Sequence, residues 1–189
     1  MKLRTLLSSI ALASTLLAPA AHAQQKLVPA QSSVGFTAKQ MGVPLQGHFK
    51  QFDAQVQFDT AKPETSKVLL TVATGSATMG SRETDAELPK ATWFNVSAFP
   101  QARFESTAVK ALGAGKYQVD GKLSIKGQSQ NVSVPVTLTQ SGATTIAAGT
   151  LPIKRLAFKI GEGDWTDTSM VADDVQVNFK LALTGVGKL

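Results

Sequence analysis

The sequence contains no cysteine among its 189 residues and only two histidines, His22 and His48. The lack of cysteine excludes disulfides, thiolate metal sites, iron–sulfur clusters and a cysteine nucleophile. With so few histidines and no cysteine, the common zinc-ligand combinations cannot be assembled, and a Ser-His-Asp triad would need His48 as its base. His48 stands between Gly47 and Phe49 at the start of a strand pattern, a setting typical of a structural histidine. The sequence therefore has little material for catalysis.

Two other kinds of functional loop are also absent. The pairs Gly113/Gly115 and Gly161/Gly163 do not open a helix and lack the spacing of a phosphate-binding loop. The acidic residues of the segment 162–174 do not follow the spacing of a calcium-binding loop. We therefore predict that the protein is not an enzyme, has no catalytic residues, and holds no metal and no resident cofactor.

The N-terminal residues 1–23 have the pattern of a secretory signal peptide. A basic start precedes an apolar stretch at residues 6–17, and Ala21 and Ala23 occupy the small-residue positions of a cleavage site. The apolar stretch is too short and too polar to serve as a permanent membrane anchor. We expect cleavage after Ala23, which would leave residues 24–189 as one domain in the periplasm.

The charge of the chain does not indicate a nucleic-acid partner. Nineteen basic and thirteen acidic residues give a net charge of +6, and loss of the first 23 residues would reduce it to +4. Basic and acidic side chains are interspersed, whereas a nucleic-acid interface concentrates arginine and lysine beside exposed aromatics.

The length of the chain after residue 23 is enough for one hydrophobic core. We expect the protein to be a monomer or a homodimer.

Apolar and polar residues alternate with a period of two over most of the chain after residue 24, which predicts strands with one apolar face. The apolar positions include Val34, Phe36, Ala38; Phe52, Ala54, Val56, Phe58; Val68, Leu70, Val72; Phe104, Ser106, Ala108; Tyr117, Val119, Leu123, Ile125; Val132, Val134, Val136, Leu138; and Val175, Val177, Phe179, Leu181, Leu183. Short turns between them indicate antiparallel neighbours. Helical spacing is confined to residues 81–90. About eight such strands fit a sandwich or a closed barrel, and the alternation alone does not separate the two.

Several inward positions carry small or mildly polar side chains, among them Ala38, Ala54, Ser106 and Ala108. Two interpretations follow. The small residues line a cavity, or they pack against large residues across a solid interior.

Several stretches, taken together and in order, resemble the YceI-like family. They are Ser32-Ser33-Val34-Gly35-Phe36, Gly47-His48-Phe49-x-x-Phe52, Arg82-Glu83-x-x-Ala86-Glu87-Leu88, Trp93-Phe94-Asn95, Phe99-Pro100-x-Ala102-Arg103-Phe104, Tyr117-x-Val119-x-Gly121-x-Leu123-x-Ile125-x-Gly127 and Lys154-Arg155-x-x-Phe158-x-Ile160-Gly161. The chain departs from the family in having Gln31-Ser32 where His-Ser is common, and Arg82-Glu83 where Arg-Asp is common.

The resemblance implies an all-β fold, a single antiparallel lipocalin-like β-barrel of about eight strands with a short helical segment. It also implies that residues 24–189 form a YceI-like lipid-binding domain, a binding protein for an isoprenoid quinone or a polyprenyl phosphate in transport, storage or sequestration. The segment 161–165, Gly-Glu-Gly-Asp-Trp, resembles the subgroup associated with inner-membrane b-type cytochromes, which favours a quinone as ligand and such a cytochrome as partner.

The inward aromatic and aliphatic residues are the candidates for the cavity wall. They are Phe36, Phe52, Phe58, Leu70, Phe104, Leu123, Ile125 and Phe179, with Trp93 and Phe94 near an entrance. The candidates for contact with a polar head group are His48, Arg82 and Arg155, since a phosphate favours an arginine fork and a quinone needs one or two donors. The alternative is ordinary core packing in a solid β-sandwich that acts as an interaction module without a lipid ligand.

Overall fold

The computed structural model describes residues 25–189, which form an antiparallel sheet with a short α-helix and five turns of 3-10 helix. The expected signal peptide, residues 1–23, lies outside the described residues. The strands are β1 (Lys26–Leu27), β2 (Ser33–Gln40), β3 (Val43–Phe49), β4 (Phe52–Gln57), β5 (Lys67–Ala73), β6 (Ala77–Thr78), β7 (Gln101–Gly113), β8 (Lys116–Ile125), β9 (Gln128–Ser141), β10 (Thr144–Lys154) and β11 (Asp174–Thr184). The helix α1 spans Arg82–Glu87, and the 3-10 helices span Pro29–Gln31, Pro63–Thr65, Thr74–Ser76, Arg155–Phe158 and Gly163–Thr166.

A single sheet curls around one interior. Its strand order is β4-β5-β7-β8-β9-β10-β11-β2-β3-β6, with β1 paired to β11. Long strands joined by tight turns form its middle; β9 and β10, for example, pair from Ser141 and Thr144 back to Val136 and Gly149. The all-β, lipocalin-like fold with one short helix is therefore confirmed, and the two stacked sheets of the sandwich alternative are not found in residues 25–189.

The curled sheet is a half-barrel, because its ladder does not close between β4 and β6 among the described residues. Side chains and 3-10 turns join the edges instead. The Gln25 side-chain amide donates to the Phe58 carbonyl at 2.6 Å and accepts from the Phe58 N–H at 2.8 Å, which ties β4 to the start of β1. At the other edge, the Lys50 N–H donates to the Ser76 carbonyl at 3.1 Å and the Gln51 N–H to the Ser76 hydroxyl at 3.0 Å.

Residues 25–189 contain eleven strands, where the sequence indicates about eight. Two of the additional ones, β1 and β6, are only two residues long. The strand β10 was not predicted, because its sequence includes Ala147, Ala148, Gly149 and Pro152, which carry little of the β-branched and aromatic signal of a strand. Pairing with β11 along its whole length stabilises β10 despite the weak strand preference of these residues.

The inward parity of β7 changes halfway along the strand, which the sequence pattern does not predict. A β-bulge separates the pairs formed by Ser106 and Ala108, so Val109 becomes the buried residue instead of the next even-numbered position. Beyond Leu69, where the pairing of β5 with β7 ends, the Ser106 hydroxyl accepts the Val68 N–H at 2.8 Å. Val109 therefore points inward where the alternation predicts Ala108.

The helix α1 lies in the predicted segment 81–90. Ser81 has extended backbone angles and its hydroxyl accepts the Thr84 N–H, the arrangement of an N-cap. The Asp85 carboxylate accepts from the Thr78 hydroxyl at 2.5 Å and from the Met79 N–H at 2.7 Å. These two bonds lower the pKa of Asp85 and hold α1 against β6.

Candidate functional site

An elongated cavity of about 640 Å³ occupies the inside of the curled sheet. Its wall is built by the inward positions of all the long strands together with α1 and the segments that follow it. Most of the side chains are aliphatic or aromatic, and the charged residues on it are few: Lys39, Glu83, Glu87, Arg103 and Arg155. A cavity of this size and composition is typical of a small-molecule site that binds through apolar contact.

The exposure of the inward residues shows that the interior is open. Phe36, Leu70, Phe104 and Phe179 point to the inside of the sheet, yet each is only partly buried. In a solid core, residues at the centre of long strands would be fully covered by the opposite wall. The interior therefore contains a cavity. Of the small inward residues, Ala38 lines this cavity, whereas Ala54, Ser106 and Ala108 do not.

Three phenylalanine rings of the wall lie over glycines of the neighbouring strand. A Cβ built on Gly47 would come 2.2 Å from Cζ of Phe36, and a Cβ on Gly149 would come 2.6 Å from Cζ of Phe179. The third case is Gly121, where a Cβ would come 2.6 Å from Cζ of Phe104. The missing side chains leave room for the rings against the sheet, which keeps the rings out of the lumen.

The cavity is long along the strand direction. Tyr117 near the start of β8 and Ile125 at its end both line it; eight residues of strand separate them, about 26 Å at 3.3 Å per residue. Beside Tyr117 the Phe58 ring packs edge to face, with centroids 5.2 Å apart. At the end near α1, Trp93 and Trp165 pack with centroids 5.4 Å apart.

The cavity meets solvent beside α1 and the end of β2. Glu83 and Lys39 line it and are nevertheless exposed, and Glu87 and Gln40 line it and are partly buried. Residues that touch both the lumen and the solvent mark a rim. We refer to the group Lys39, Gln40, Glu83, Thr84 and Glu87 as the α1 rim.

The structure places nine of the ten predicted wall residues on the cavity. They are Phe36, Phe58, Leu70, Trp93, Phe94, Phe104, Leu123, Ile125 and Phe179. Phe52 is the exception: it is the first residue of β4 and lies on a surface groove of about 570 Å³ that shares Val34 and Phe49 with the cavity. The alternation predicts its inward parity, but the chain turns between β3 and β4 and carries Phe52 to the edge of the sheet.

The three predicted head-group residues lie in three different places. His48 is exposed and lies on the same surface groove as Phe52. Arg82 is exposed on α1 and does not line the cavity. Arg155 alone lines the cavity, and it is one of the most buried side chains of residues 25–189, with 2% of its surface exposed.

The Arg155 guanidinium is occupied by the backbone of one loop. Its Nε, Nη1 and Nη2 donate to five carbonyls at 2.5–3.1 Å, those of Ile160, Gly161, Trp165, Val171 and Ala172. Arginine has five N–H groups, so none is left for a ligand. Burial lowers the pKa of Arg155, and the nearby Asp173 carboxylate acts in the opposite direction. The expectation that Arg155 contacts a head group is therefore corrected: the residue holds the loop that carries Trp165.

A second buried cation fixes the same loop. The Lys126 ammonium, whose side chain is 4% exposed, donates to the Lys159 carbonyl at 2.6 Å and to the Glu162 carboxylate at 2.8 Å. The hydrogen bond and charge of Lys126 lower the pKa of Glu162. Together with Arg155, this pair determines the path of residues 159–172 at the α1 end of the cavity.

Several wall residues are not among the candidates predicted from the sequence. Trp165 lies in an acidic, glycine-containing loop without periodicity, and it reaches the wall only because the loop folds around Arg155. Phe49 is the last residue of β3, where the sequence pattern predicts the start of a strand. Tyr117 lies at an inward position of β8, so the alternation of apolar and polar residues is a sequence signal that identifies it as a wall residue.

Two observations concern other kinds of site. In residues 25–189, His, Asp and Glu do not come together in any group of three that would hold a metal ion. Over the same part of the chain, no helix combines the length and apolar character needed to cross a membrane.

The Trp93 Nε1 is the one side-chain polar atom of residues 25–189 that is buried without a hydrogen-bond partner. The Trp93 side chain lines the cavity.

Comparison with known proteins places this fold in a family. The YceI-like domain matches residues 25–183. A UPF0312 protein of Ectopseudomonas mendocina is 33% identical over 144 residues, 74% of this chain and 75% of that protein, and one of Azotobacter vinelandii is 34% identical over 145 residues, 74% of this chain and 76% of that protein.

Solved structures resemble the chain over most of its length. The crystal structure of Burkholderia cenocepacia BcnA has a TM-score of 0.81 and 44% identity, covering 83% of this chain and 99% of that one. A polyisoprenoid binding domain from Saccharophagus degradans has a TM-score of 0.69 at 16% identity, covering 86% of this chain and 99% of that one, a likeness of fold. From the match over residues 25–183 and the identity to these relatives, the chain belongs to the YceI-like domain family.

Proposed function

We propose that this protein is a non-enzymatic binding protein that holds an isoprenoid lipid in its cavity, in the periplasm. The observation that carries the proposal is the long apolar lumen of about 640 Å³, on which Phe36, Leu70, Phe104 and Phe179 are only partly buried. A prenyl chain has no hydrogen-bonding groups, so its affinity must come from removing apolar surface from water, at roughly 25 cal/mol per Å². A narrow apolar lumen some 26 Å along the strand is suited to a linear chain.

Two further observations support a lipid ligand. The family is one of binding domains, and a fold neighbour is named as a polyisoprenoid binding domain. The phenylalanine rings packed against Gly47, Gly121 and Gly149 lie close to the sheet, which leaves the lumen open to a ligand.

The location and the use of the ligand are part of the proposal. The signal-peptide pattern of residues 1–23 supports export to the periplasm, where a lipid needs a protein to cover its apolar chain from water. A protein that holds the apolar chain of a lipid in its cavity can serve in the transport, storage or sequestration of that lipid. A quinone ligand, an inner-membrane b-type cytochrome as partner, and a monomer or homodimer remain predictions from the sequence.

The test is organic extraction of the protein purified from its native periplasm, followed by mass spectrometry. We expect a co-purified isoprenoid at close to one molecule per chain, and much less in a variant whose lumen is filled, Leu123→Trp. Clean extracts from the wild-type protein, together with no binding of added isoprenoids, would overturn the proposal and favour an interaction module.

A further inference from the structure

One end of the lumen is bordered by exposed apolar side chains. Within residues 25–189, the large apolar side chains that are exposed to solvent are Met41, Val43, Leu112, Met170 and Leu189. Met41, Val43 and Met170 come from two segments that are hydrogen-bonded to each other, the turn between β2 and β3 and the loop that precedes β11. We refer to these three residues as the mouth patch.

Backbone contacts place the mouth patch at the opening of the cavity. The Met41 N–H donates to the Met170 carbonyl at 2.8 Å, and Gln40 forms a β-bridge with Val171. Gln40 and Val171 both line the lumen, so each methionine is the chain neighbour of a lumen residue. Val43 pairs with Gln40 across β2 and β3. The patch therefore continues from the cavity wall into solvent.

Val43 extends the inner face of β3 beyond the lumen. Side chains of a strand alternate between its two faces, and Leu45, two residues later, lines the cavity. Val43 therefore lies on the same face as Leu45, yet 59% of its surface is exposed. A lipid chain that enters or leaves the lumen at this end passes such a side chain.

The turn that carries Met41 is one that local preference would not assign to methionine. Met41 has a φ of 47° and Gly42 a φ of 80°, so both central residues of the turn between β2 and β3 are left-handed. Hairpin turns of this kind favour Asn-Gly or Asp-Gly, because most other side chains are disfavoured at positive φ. The turn nevertheless presents a methionine with 66% of its surface exposed. A departure from local preference of this kind is expected where a side chain contributes to function rather than to the fold.

We propose that the mouth patch docks on a lipid bilayer, with Met41, Val43 and Met170 inserted at the boundary between head groups and acyl chains. The inference rests on the proposed function and adds the surface at which the cavity is loaded and emptied. A lipid that moves between a bilayer and the lumen exposes its apolar chain to water unless the opening touches the bilayer. An apolar patch that is continuous with an apolar lumen provides that contact.

The charges beside the patch favour a bilayer without net charge. Glu83 and Glu87 of the α1 rim lie next to the opening, and Lys39 is the single cation of that rim. In the loop of the patch, the Asp167 carboxylate accepts from the Ser169 N–H at 2.8 Å and from the Ser169 hydroxyl at 2.7 Å, which directs it toward its own loop. We therefore expect docking to depend on apolar insertion and to persist at high salt.

The experiment measures the partition of the delipidated protein onto phosphatidylcholine vesicles by co-sedimentation. The triple variant Met41→Asn/Val43→Thr/Met170→Gln should partition roughly tenfold more weakly than the wild type, at both low and high salt. The single variant Met41→Asn should also partition more weakly, yet it should melt at a higher temperature, because asparagine adopts a positive φ more readily than methionine. A purely structural role for Met41 would not produce these opposite changes.

The matched control removes the other two exposed apolar side chains. Leu112 lies beside the turn between β7 and β8, and the Leu189 N–H donates to the Gln140 side chain beside the turn between β9 and β10. Both turns lie at the end of the sheet opposite the mouth patch. Leu112→Thr/Leu189→Gln should therefore leave the partition unchanged.

Four outcomes would overturn the inference: a wild-type protein that does not partition, a triple variant that partitions equally well, an equal loss in the control, or binding that requires anionic lipid and disappears at high salt. A dimer seen by analytical ultracentrifugation without vesicles, and absent in the triple variant, would assign the patch to a second copy of the chain and also overturn it. None of these measurements needs a bound isoprenoid, so the extraction experiment decides the proposed function separately.

Discussion

The tip of the Phe36 ring occupies the place where a side chain on Gly47 would stand, 2.2 Å from an ideal Cβ. The two residues are directly paired across β2 and β3. In most paired positions two inward side chains would both project into the lumen and fill it. Here the ring takes the space of its partner, so one large apolar side chain covers two wall positions and the lumen stays open.

The first prediction concerns this pair. Gly47→Ala would push the Phe36 ring into the lumen, and we expect a loss of about 1–3 kcal/mol in the free energy of unfolding together with weaker binding of a prenyl alcohol. Denaturant unfolding and ligand titration on one preparation measure both effects. The double variant Gly47→Ala/Phe36→Leu should lose less free energy of unfolding than the sum of the losses in the two single variants. Strict additivity of the two changes would show that the ring and the glycine are not coupled.

The second prediction separates the lumen from the packed parts of its wall. Leu123 is partly buried on the lumen, whereas Ile125, two residues along β8, is buried with 8% exposed. Leu123→Trp should lower the affinity for a prenyl alcohol roughly tenfold or more, because the indole takes ligand space.

Its control is Ile125→Trp, which should cost about 1–3 kcal/mol of stability through overpacking, more than Leu123→Trp costs. Thermal melts and the same titration compare the two variants. Equal destabilisation by both substitutions would mean that Leu123 is part of a packed core.

The third prediction concerns the loop organised by Arg155. Lysine has three donors, so Arg155→Lys leaves at least two of the five carbonyls without a partner. At about 1–3 kcal/mol for each buried unsatisfied group, the cost is roughly 2–6 kcal/mol. Urea unfolding measures it, and hydrogen exchange should show the loss of protection concentrated in residues 160–172. A variant as stable as the wild type would contradict the role of the guanidinium.

The fourth prediction is a pH dependence from Lys126 and Glu162. The folded protein lowers the pKa of Glu162, chiefly through the hydrogen bond from Lys126. A lowered carboxyl pKa contributes stability that is present above the unfolded-state pKa, about 4.3, and is lost as the pH falls through the folded-state pKa.

Glu162→Gln should therefore melt at a lower temperature than the wild type at pH 7, and the difference should shrink as the pH is lowered through the range below about 4.3. Melting curves of both proteins over that range provide the measurement. A difference that stays constant down to strongly acidic pH would show that the carboxylate charge does not contribute.

Much of the fold could be predicted from the sequence because its signals are local. Alternation places Phe36, Leu70, Leu123 and Phe179 on the inner face whatever the exact topology, since side chains of a strand point to opposite faces in turn. The Ser81 cap and the spacing after it indicate the short helix in the same way. The absence of cysteine excludes whole classes of chemistry without any structure.

The remaining features depend on residues that meet only in the folded chain. Phe52 has inward parity, and a turn between two strands removes it from the cavity. Arg155 has the chemistry of a phosphate ligand, and five carbonyls from a loop that closes around it take every donor. No local pattern shows that the Phe36 ring fills the space left by Gly47. The sequence by itself determined most of the inward side chains, outside the β7 bulge and the start of β4. The tertiary structure decided whether they enclose a lumen, because that depends on packing between residues distant along the chain.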